Sequence, residues 1–177
     1  MLSQCATNCL IKLTQSHSFS TSLVNFNNSQ FLKFLLSRVF CDGSVDTSSA
    51  ITDFWRILRN ILNISVSRQY LLKGNYLNYL LQYVVSNLDP HFRRKKKLSI
   101  VPNHVENLII SCMLIIAEDQ NMTFHLFKKS RLIPTLITII SDCMIDCLDY
   151  DVDNLIPIFA LLRNVLVKTD SASLFLI

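Results

Sequence analysis

Six cysteines and four histidines are the side chains of this 177-residue chain best suited to bind a metal or act as nucleophiles. Two cysteine pairs, Cys5 with Cys9 and Cys143 with Cys147, are four residues apart and would share one face of a helix. A structural zinc site needs four ligands, commonly in Cys-x-x-Cys spacing, and His17 is the one histidine near the first pair. We therefore expect no metal and no cofactor, with the cysteines reduced and packed as small apolar side chains.

Other patterns typical of enzymes and ion sites are incomplete. The acidic run at residues 149–153 begins like a calcium-binding loop, with Asp at alternate positions. That loop needs Gly at its sixth position and Glu at its twelfth, where this chain has Asn154 and Ala160. Gly43 and Gly74 are the only glycines in the sequence, too few for a phosphate-binding loop. No nucleophile stands at a recognisable spacing from a histidine. The sequence therefore predicts a protein that is not an enzyme.

The most strongly charged segment is a run of five cations. Such a run must be solvated, because five adjacent charges cannot enter a core. It could remain a wet loop, or contact nucleic acid, an anionic membrane or a nuclear import receptor. Residues 1–97 have a charge balance of +8 and residues 98–177 one of −4, so the net charge of +4 is unevenly spread. The run consists of Arg93, Arg94, Lys95, Lys96 and Lys97.

Apolar residues recur at steps of three and four, and this spacing predicts the helices that must position the polar side chains. The clearest stripe is Ile51, Phe54, Trp55, Leu58, Ile61 and Leu62. The same six places, 104 residues later, are Leu155, Ile158, Phe159, Leu162, Val165 and Leu166. The pair Arg59-Asn60 returns as Arg163-Asn164. A weaker copy at about residues 108–140 gives two steps of roughly 50 residues, near the spacing of helical repeats. We expect both stripes to face inward.

The residues around the first stripe occur in the order of a known repeat consensus. The segments are Leu58-Arg59-Asn60-Ile61, Ser67-Arg68-Gln69, Leu71-Leu72-Lys73-Gly74 and Leu77-Asn78-Tyr79-Leu80. Residues 46–177 resemble the armadillo-type helical repeat family, and among its members the ataxin branch. The groove tryptophan of the family is replaced here by Arg56. The resemblance implies an all-α fold, a short right-handed armadillo/HEAT-like α-solenoid of about three repeats.

The repeat spacing also predicts the domain organisation. Residues 1–45 are predicted to form a partial N-terminal repeat or cap, and residues 46–177 the repeats, with a basic loop at 89–101. A helix carrying Phe31, Phe34 and Leu35 would cover the end of the stack. Residues 1–41 contain no acid, as in a mitochondrial transit peptide, but no arginine precedes Arg38.

The resemblance implies a non-enzymatic scaffold that binds a peptide or helix of another protein along its concave face. Partner contacts are predicted at Arg59, Asn60, Asn78, Gln82, Arg163 and Asn164. An asparagine at such a place can instead satisfy backbone groups between repeats. The alternative function is a nucleic-acid or anionic-membrane adaptor that uses Arg93 to Lys97.

Location and assembly are the last expectations. No stretch of 18 apolar residues occurs, so the sequence predicts no transmembrane segment. A cytoplasmic protein, with nuclear or cytoskeletal placement also open, is expected. The apolar residues 174–177 suggest a fragment, a truncated isoform or self-association through the C-terminal end.

Overall fold

The computed structural model describes residues 4–26, 30–41, 49–89, 91, 95, 103–119, 122–123, 131–145 and 155–168. Within these ranges the chain is all α-helical, with nine helices and no β-strand. The helices are α1 (Gln4–Thr14), α2 (His17–Asn25), α3 (Gln30–Cys41), α4 (Ser49–Leu62), α5 (Ser65–Leu72), α6 (Tyr76–Leu88), α7 (Asn103–Ile116), α8 (Leu132–Ile145) and α9 (Leu155–Lys168). A 3-10 turn at Lys73–Asn75 joins α5 to α6.

Contacts within the chain divide it into an N-terminal unit, Met1–Leu77, and a C-terminal unit, Asn78–Ile177. The boundary falls in the first turn of α6, so most of that helix belongs to the C-terminal unit.

The centre of the N-terminal unit is α4, which packs against α1, α2 and α5. Four of the six residues of its predicted stripe, Trp55, Leu58, Ile61 and Leu62, are fully buried. Phe54 is half-buried, and the side chain of Ile51 lies outside the described residues. Ile57, on the adjoining side of the helix, is buried as well. Neighbours on several sides therefore bury α4 over more of its circumference than the stripe alone requires.

A side chain closes the corner between α4 and α5. The guanidinium Nη1 of Arg68 donates to the carbonyl oxygen of Leu62 at 2.7 Å. Leu62 is the last residue of α4, and carbonyls there have no partner within the helix. The Ser67-Arg68-Gln69 segment itself lies within α5, so the interpretation of these residues as the corner is wrong, although Arg68 reaches back from α5 to stabilise the corner.

The N-terminal helices differ in two respects from the expected packing. Cys5 and Cys9 are exposed, so the prediction that they are core residues is wrong, whereas Cys112 on α7 is buried as expected. On α1 the more protected positions include Ile11 and the buried Thr14, and the two cysteines lie off that face. Helices α2 and α4 pack on the side of α1 opposite to the cysteines and therefore leave Cys5 and Cys9 exposed.

The predicted inward face of α3 is also displaced. Phe34 is exposed, whereas Leu32, Leu35 and Leu36 are buried. The aliphatic side of the helix faces its neighbours, and α2 is the helix against which α3 has its main contacts.

The core of the C-terminal unit is built on α7, against which α9 packs, and α9 also contacts α8. The apolar spacing of α7 predicts six inward residues, of which Val105, Ile109, Cys112 and Ile116 are buried and Leu108 and Ile115 are half-buried. The polar side chain of Thr123 is also buried, and its hydroxyl is satisfied by donating to the carbonyl oxygens of Ala117 and Asp119.

Predicted helix bounds agree with the structure in several places. The sequence predicts a helix at residues 76–88 that Asp89-Pro90 ends, one that Pro102-Asn103 opens and one at residues 132–148. The structure has α6 at Tyr76–Leu88, α7 beginning at Asn103 and α8 beginning at Leu132. The predicted end of α8 at Leu148 lies outside the described residues, as does the acidic run 149–153. The all-α class is confirmed, and the solenoid arrangement and domain bounds stay predictions.

Candidate interaction surface

Two apolar stripes run along α9. The inner stripe is Ile158, Leu161 and Val165, all fully buried. The outer stripe is Ile156, Phe159, Arg163 and Leu166, on the side of the helix turned away from the inner one. Its apolar members are 61%, 52% and 48% exposed, and Arg163 is exposed between them. Val167, beside the outer stripe, is 75% exposed. A surface helix normally has one apolar side, so the outer stripe is apolar surface without an evident role in the core.

The prediction that Phe159 and Leu166 face inward is therefore wrong. Their counterparts 104 residues earlier, Trp55 and Leu62, are fully buried. The two stripes have the same residue spacing, but α4 is covered by α1, α2 and α5, whereas the main contacts of α9 are with α7 and α8. The buried side of α9 is rotated accordingly, and it includes Leu161, which the predicted stripe omits.

Arg163 and Asn164, two of the predicted partner-binding residues, lie on α9. Arg163 is exposed within the outer stripe, and Asn164 is half-buried. The guanidinium can form directional hydrogen bonds with a carboxylate and can also stack on an aromatic ring. The outer stripe thus combines apolar contact area with one cation.

Asn60, the counterpart of Asn164, is engaged inside the N-terminal unit. Its Nδ2 donates to the Thr14 hydroxyl oxygen at 3.1 Å and to the Ile11 carbonyl oxygen at 3.4 Å. The Thr14 hydroxyl itself donates to the Ile11 carbonyl at 3.0 Å. The Ser20 hydroxyl donates to the Thr14 carbonyl at 2.7 Å, which adds α2 to the junction. Asn60 therefore joins α4 to the end of α1, the structural role left open by the sequence.

A small pocket of about 170 Å³ adjoins this junction. The side chains around it are mainly polar and come from the ends of α1 and α4 and the beginnings of the helices that follow them. The lining residues are Thr14, Gln15, His17, Asn60, Asn63 and Ile64. One of its amides, Asn63, is exposed, and its Nδ2 donates to the Arg59 carbonyl at 3.4 Å.

The remaining predicted contacts lie on two other surfaces. Arg59 is exposed on α4 in the N-terminal unit. Asn78 and Gln82 are one turn apart on α6, where Asn78 is half-buried and Gln82 exposed. The predicted partner-binding residues of each helix lie close to one another. That those of different helices line one concave face stays a prediction.

The basic run is described at one position. Lys95 is exposed, in agreement with a solvated segment, whereas Arg93, Arg94, Lys96 and Lys97 lie outside the described residues. Just before the run, the Asp89 carboxylate accepts a 2.9 Å hydrogen bond from the His91 backbone amide.

No three His, Cys, Asp or Glu side chains of the part of the chain that the structure describes lie together as a metal-binding group would. None of its helices combines the length and apolar character needed to traverse a bilayer.

The outer stripe contains one residue that the sequence analysis did not select, Ile156, and the exposed Val167 beside it was not selected either. A signal for them exists, because positions 156, 159, 163 and 166 are spaced by three, four and three. That spacing indicates a second apolar face on the helix, in addition to the stripe that the sequence analysis assigned to the core.

Comparisons with models of protein families, with curated proteins and with solved structures find no match for this chain. The findings establish a helical protein, and the armadillo resemblance stays a prediction.

Proposed function

We propose that this chain is a non-enzymatic, armadillo-like scaffold that holds an amphipathic helix or peptide of a partner protein. The outer stripe of α9 supports the proposal, because it exposes Ile156, Phe159 and Leu166 around Arg163. Contiguous exposed apolar side chains are typical of surfaces that another protein covers. Aromatic and arginine side chains, moreover, supply much of the binding energy in protein interfaces.

The chemistry of the outer stripe defines the partner. A partner helix would present apolar side chains at steps of three and four to Ile156 and Phe159. It would place a carboxylate near Arg163, because a guanidinium enclosed by an interface needs an anionic or aromatic partner. Affinity would come from a few such anchors, and no covalent chemistry is involved.

The test is a selection of helical peptides from a display library on the folded chain, followed by calorimetric titration of the selected sequences. We expect amphipathic peptides with an acidic residue within the apolar face. Arg163→Ala should weaken their binding at least about tenfold, equivalent to roughly 1.4 kcal/mol. The matched control is Ile137→Ala on α8, since Ile137 is 53% exposed in the same unit but lies outside the outer stripe.

Peptides that bind wild type and Arg163→Ala equally would contradict the proposal for this surface. The concave-face residues are tested by the same titration with Arg59→Ala, an exposed position on α4. Salt separates the proposal from the nucleic-acid or anionic-membrane alternative. Phosphate binding through Arg93 to Lys97 would fall steeply between low and physiological salt, whereas binding dominated by apolar contacts would change little.

A further inference from the structure

The outer stripe of α9 is self-complementary when a second copy of the helix is laid on it in the opposite direction. With Leu161 at the centre of both helices, Ile156 faces Leu166 of the second copy. In the same register Phe159 faces Arg163 of the second copy. One register thus matches every member of the outer stripe.

The spacing of the outer stripe is that of a helix–helix seam. Positions 156, 159, 163 and 166 follow the alternating three and four of a coiled-coil heptad. In an antiparallel pair of helices the two kinds of seam position meet each other, as they do in the register above. Arg163 would then lie over the ring of Phe159 of the second copy, a cation–π contact that the two-fold axis repeats.

A parallel pairing does not fit the same residues. It would place Arg163 against Arg163 of the second copy, and two like charges at an apolar seam repel each other in a poorly solvated site. The charge of Arg163 therefore selects the antiparallel arrangement.

From this complementarity we propose that the outer stripe of α9 binds a second copy of this chain, α9 against α9, in an antiparallel dimer. The inference rests on the proposed function, because it takes the outer stripe to be an interaction surface and names its occupant. A foreign helix would compete with the second copy for the same residues.

The size of the contact predicts a weak dimer. The 14 residues of α9 span roughly 21 Å at the usual rise per residue. One pair of such helices buries less than the ~800 Å² per partner of a standard interface. We therefore expect dimers at protein concentrations of about 100 µM and monomers at about 1 µM.

Sedimentation velocity across that concentration range tests the pairing. Phe159→Lys should raise the dissociation constant at least about tenfold, because its ammonium would face Arg163 of the second copy. Phe159→Glu should keep the dimer, because its carboxylate would face the same guanidinium. Phe159 is half-exposed, so both variants should fold, and far-ultraviolet circular dichroism verifies this.

A wild-type chain that stays monomeric throughout the range would overturn the pairing. So would equal effects of Phe159→Lys and Phe159→Glu, which would show that Arg163 does not face position 159. These outcomes leave the proposed function standing if selected peptides still require Arg163. Conversely, dimers without any Arg163-dependent peptide would keep the pairing and contradict the proposed function.

Discussion

The carboxamide of Asn60 connects two helices whose bonded residues are 46 and 49 positions apart in the chain. Sequence resemblance assigns this residue to a partner-binding edge, and the structure shows its Nδ2 donating to Thr14 and Ile11. A donor used within the fold is held in place and can be lost only at a cost in stability. Mutation of Asn60 therefore affects folding as well as any partner contact.

We predict that Asn60→Ala lowers the free energy of unfolding by about 1 kcal/mol, the usual net effect of a lost hydrogen bond. Urea unfolding followed by the fluorescence of Trp55, the sole tryptophan and fully buried on the same helix, measures this change. Asn63→Ala is the control, because Asn63 is exposed and the hydrogen bond of its side-chain amide goes to the Arg59 carbonyl in the last turn of α4. Equal effects of the two substitutions would contradict a special role for the α1–α4 junction.

Tyr70 and Tyr76 are two tyrosines of the N-terminal unit whose side chains contact each other. Their rings are stacked, with centroids 5.3 Å apart and an angle of 15° between the planes. Burial raises the pKa of Tyr70 above its ordinary value of 10.0, and the hydrogen bond and charge interaction with Tyr76 raise it further. The folded state thus favours the protonated form of Tyr70.

This pKa shift has a defined consequence for stability. As pH rises above about 10, Tyr70 loses its proton in the unfolded chain before it does so in the folded one, so the unfolding free energy falls. Its stabilising contribution is complete below pH 10 and is lost as the pH passes through the folded pKa. We predict a smaller alkaline loss of stability in Tyr76→Phe, which removes the hydrogen bond. Spectrophotometric titration of tyrosinate and urea unfolding at several pH values measure it, with Tyr70→Phe as reference; identical curves for wild type and both variants would contradict this account.

At the scale of elements, α4 and α9 show how similar stripes are buried differently. Helices α1 and α2 pack on α4, and Trp55 is fully buried as a result. In α9, the main contacts are with α7 and α8, and the equivalent Phe159 is half-exposed. The neighbours of a helix therefore determine which of its residues are buried, whereas the periodicity of its sequence identifies only the apolar residues that could be buried.

Alanine substitutions in the two stripes of α9 test this rotation. We predict that Ile158→Ala, in the inner stripe, lowers the unfolding free energy by about 2–4 kcal/mol through loss of buried contacts. Phe159→Ala, in the outer stripe, should change it by less than about 1 kcal/mol, although more atoms are removed. Chemical unfolding followed by far-ultraviolet circular dichroism, at concentrations where the chain is monomeric, compares the two. A larger effect at Phe159 would place that ring in the core.

At the scale of the whole molecule, the proposed self-association would make stability depend on protein concentration. A dimer that forms only from folded chains stabilises the folded state by mass action. Attraction between oppositely charged segments of two chains would be a second route to association, because residues 1–97 and 98–177 have charge balances of opposite sign. Long-range attraction between such charges is screened by salt, whereas contact between outer stripes is mainly apolar.

We predict that the melting temperature of the wild-type chain rises with protein concentration between about 1 and 100 µM, as expected for a weak dimer. The rise should persist at high salt, because apolar contacts dominate the proposed seam. Calorimetric or dichroic melting curves measure it, and Phe159→Lys is the monomeric control. A rise that is equal in wild type and Phe159→Lys, or that vanishes at high salt, would show that the association uses another surface.

Much of the fold could be predicted from local patterns. The all-α class follows from the apolar steps of three and four, and the bounds of α6 follow from the turn at Lys73–Asn75 and from Asp89-Pro90. The corner between α4 and α5 is likewise stabilised locally, since Arg68 donates a hydrogen bond to a carbonyl six residues away. These features depend on residues within a turn or two of one another, so sequence is sufficient for them.

The candidate site could be predicted only in part, because it depends on contacts between distant segments. Arg163 is recognisable as the repeat of Arg59, and its exposure agrees with a surface role. The sequence alone determined that α9 is a helix with apolar residues on more than one side. Which side is buried was decided by the tertiary structure, through α7 and α8. Burial depends on which helices from distant parts of the chain pack against α9, and the spacing of apolar residues within one helix does not specify those neighbours.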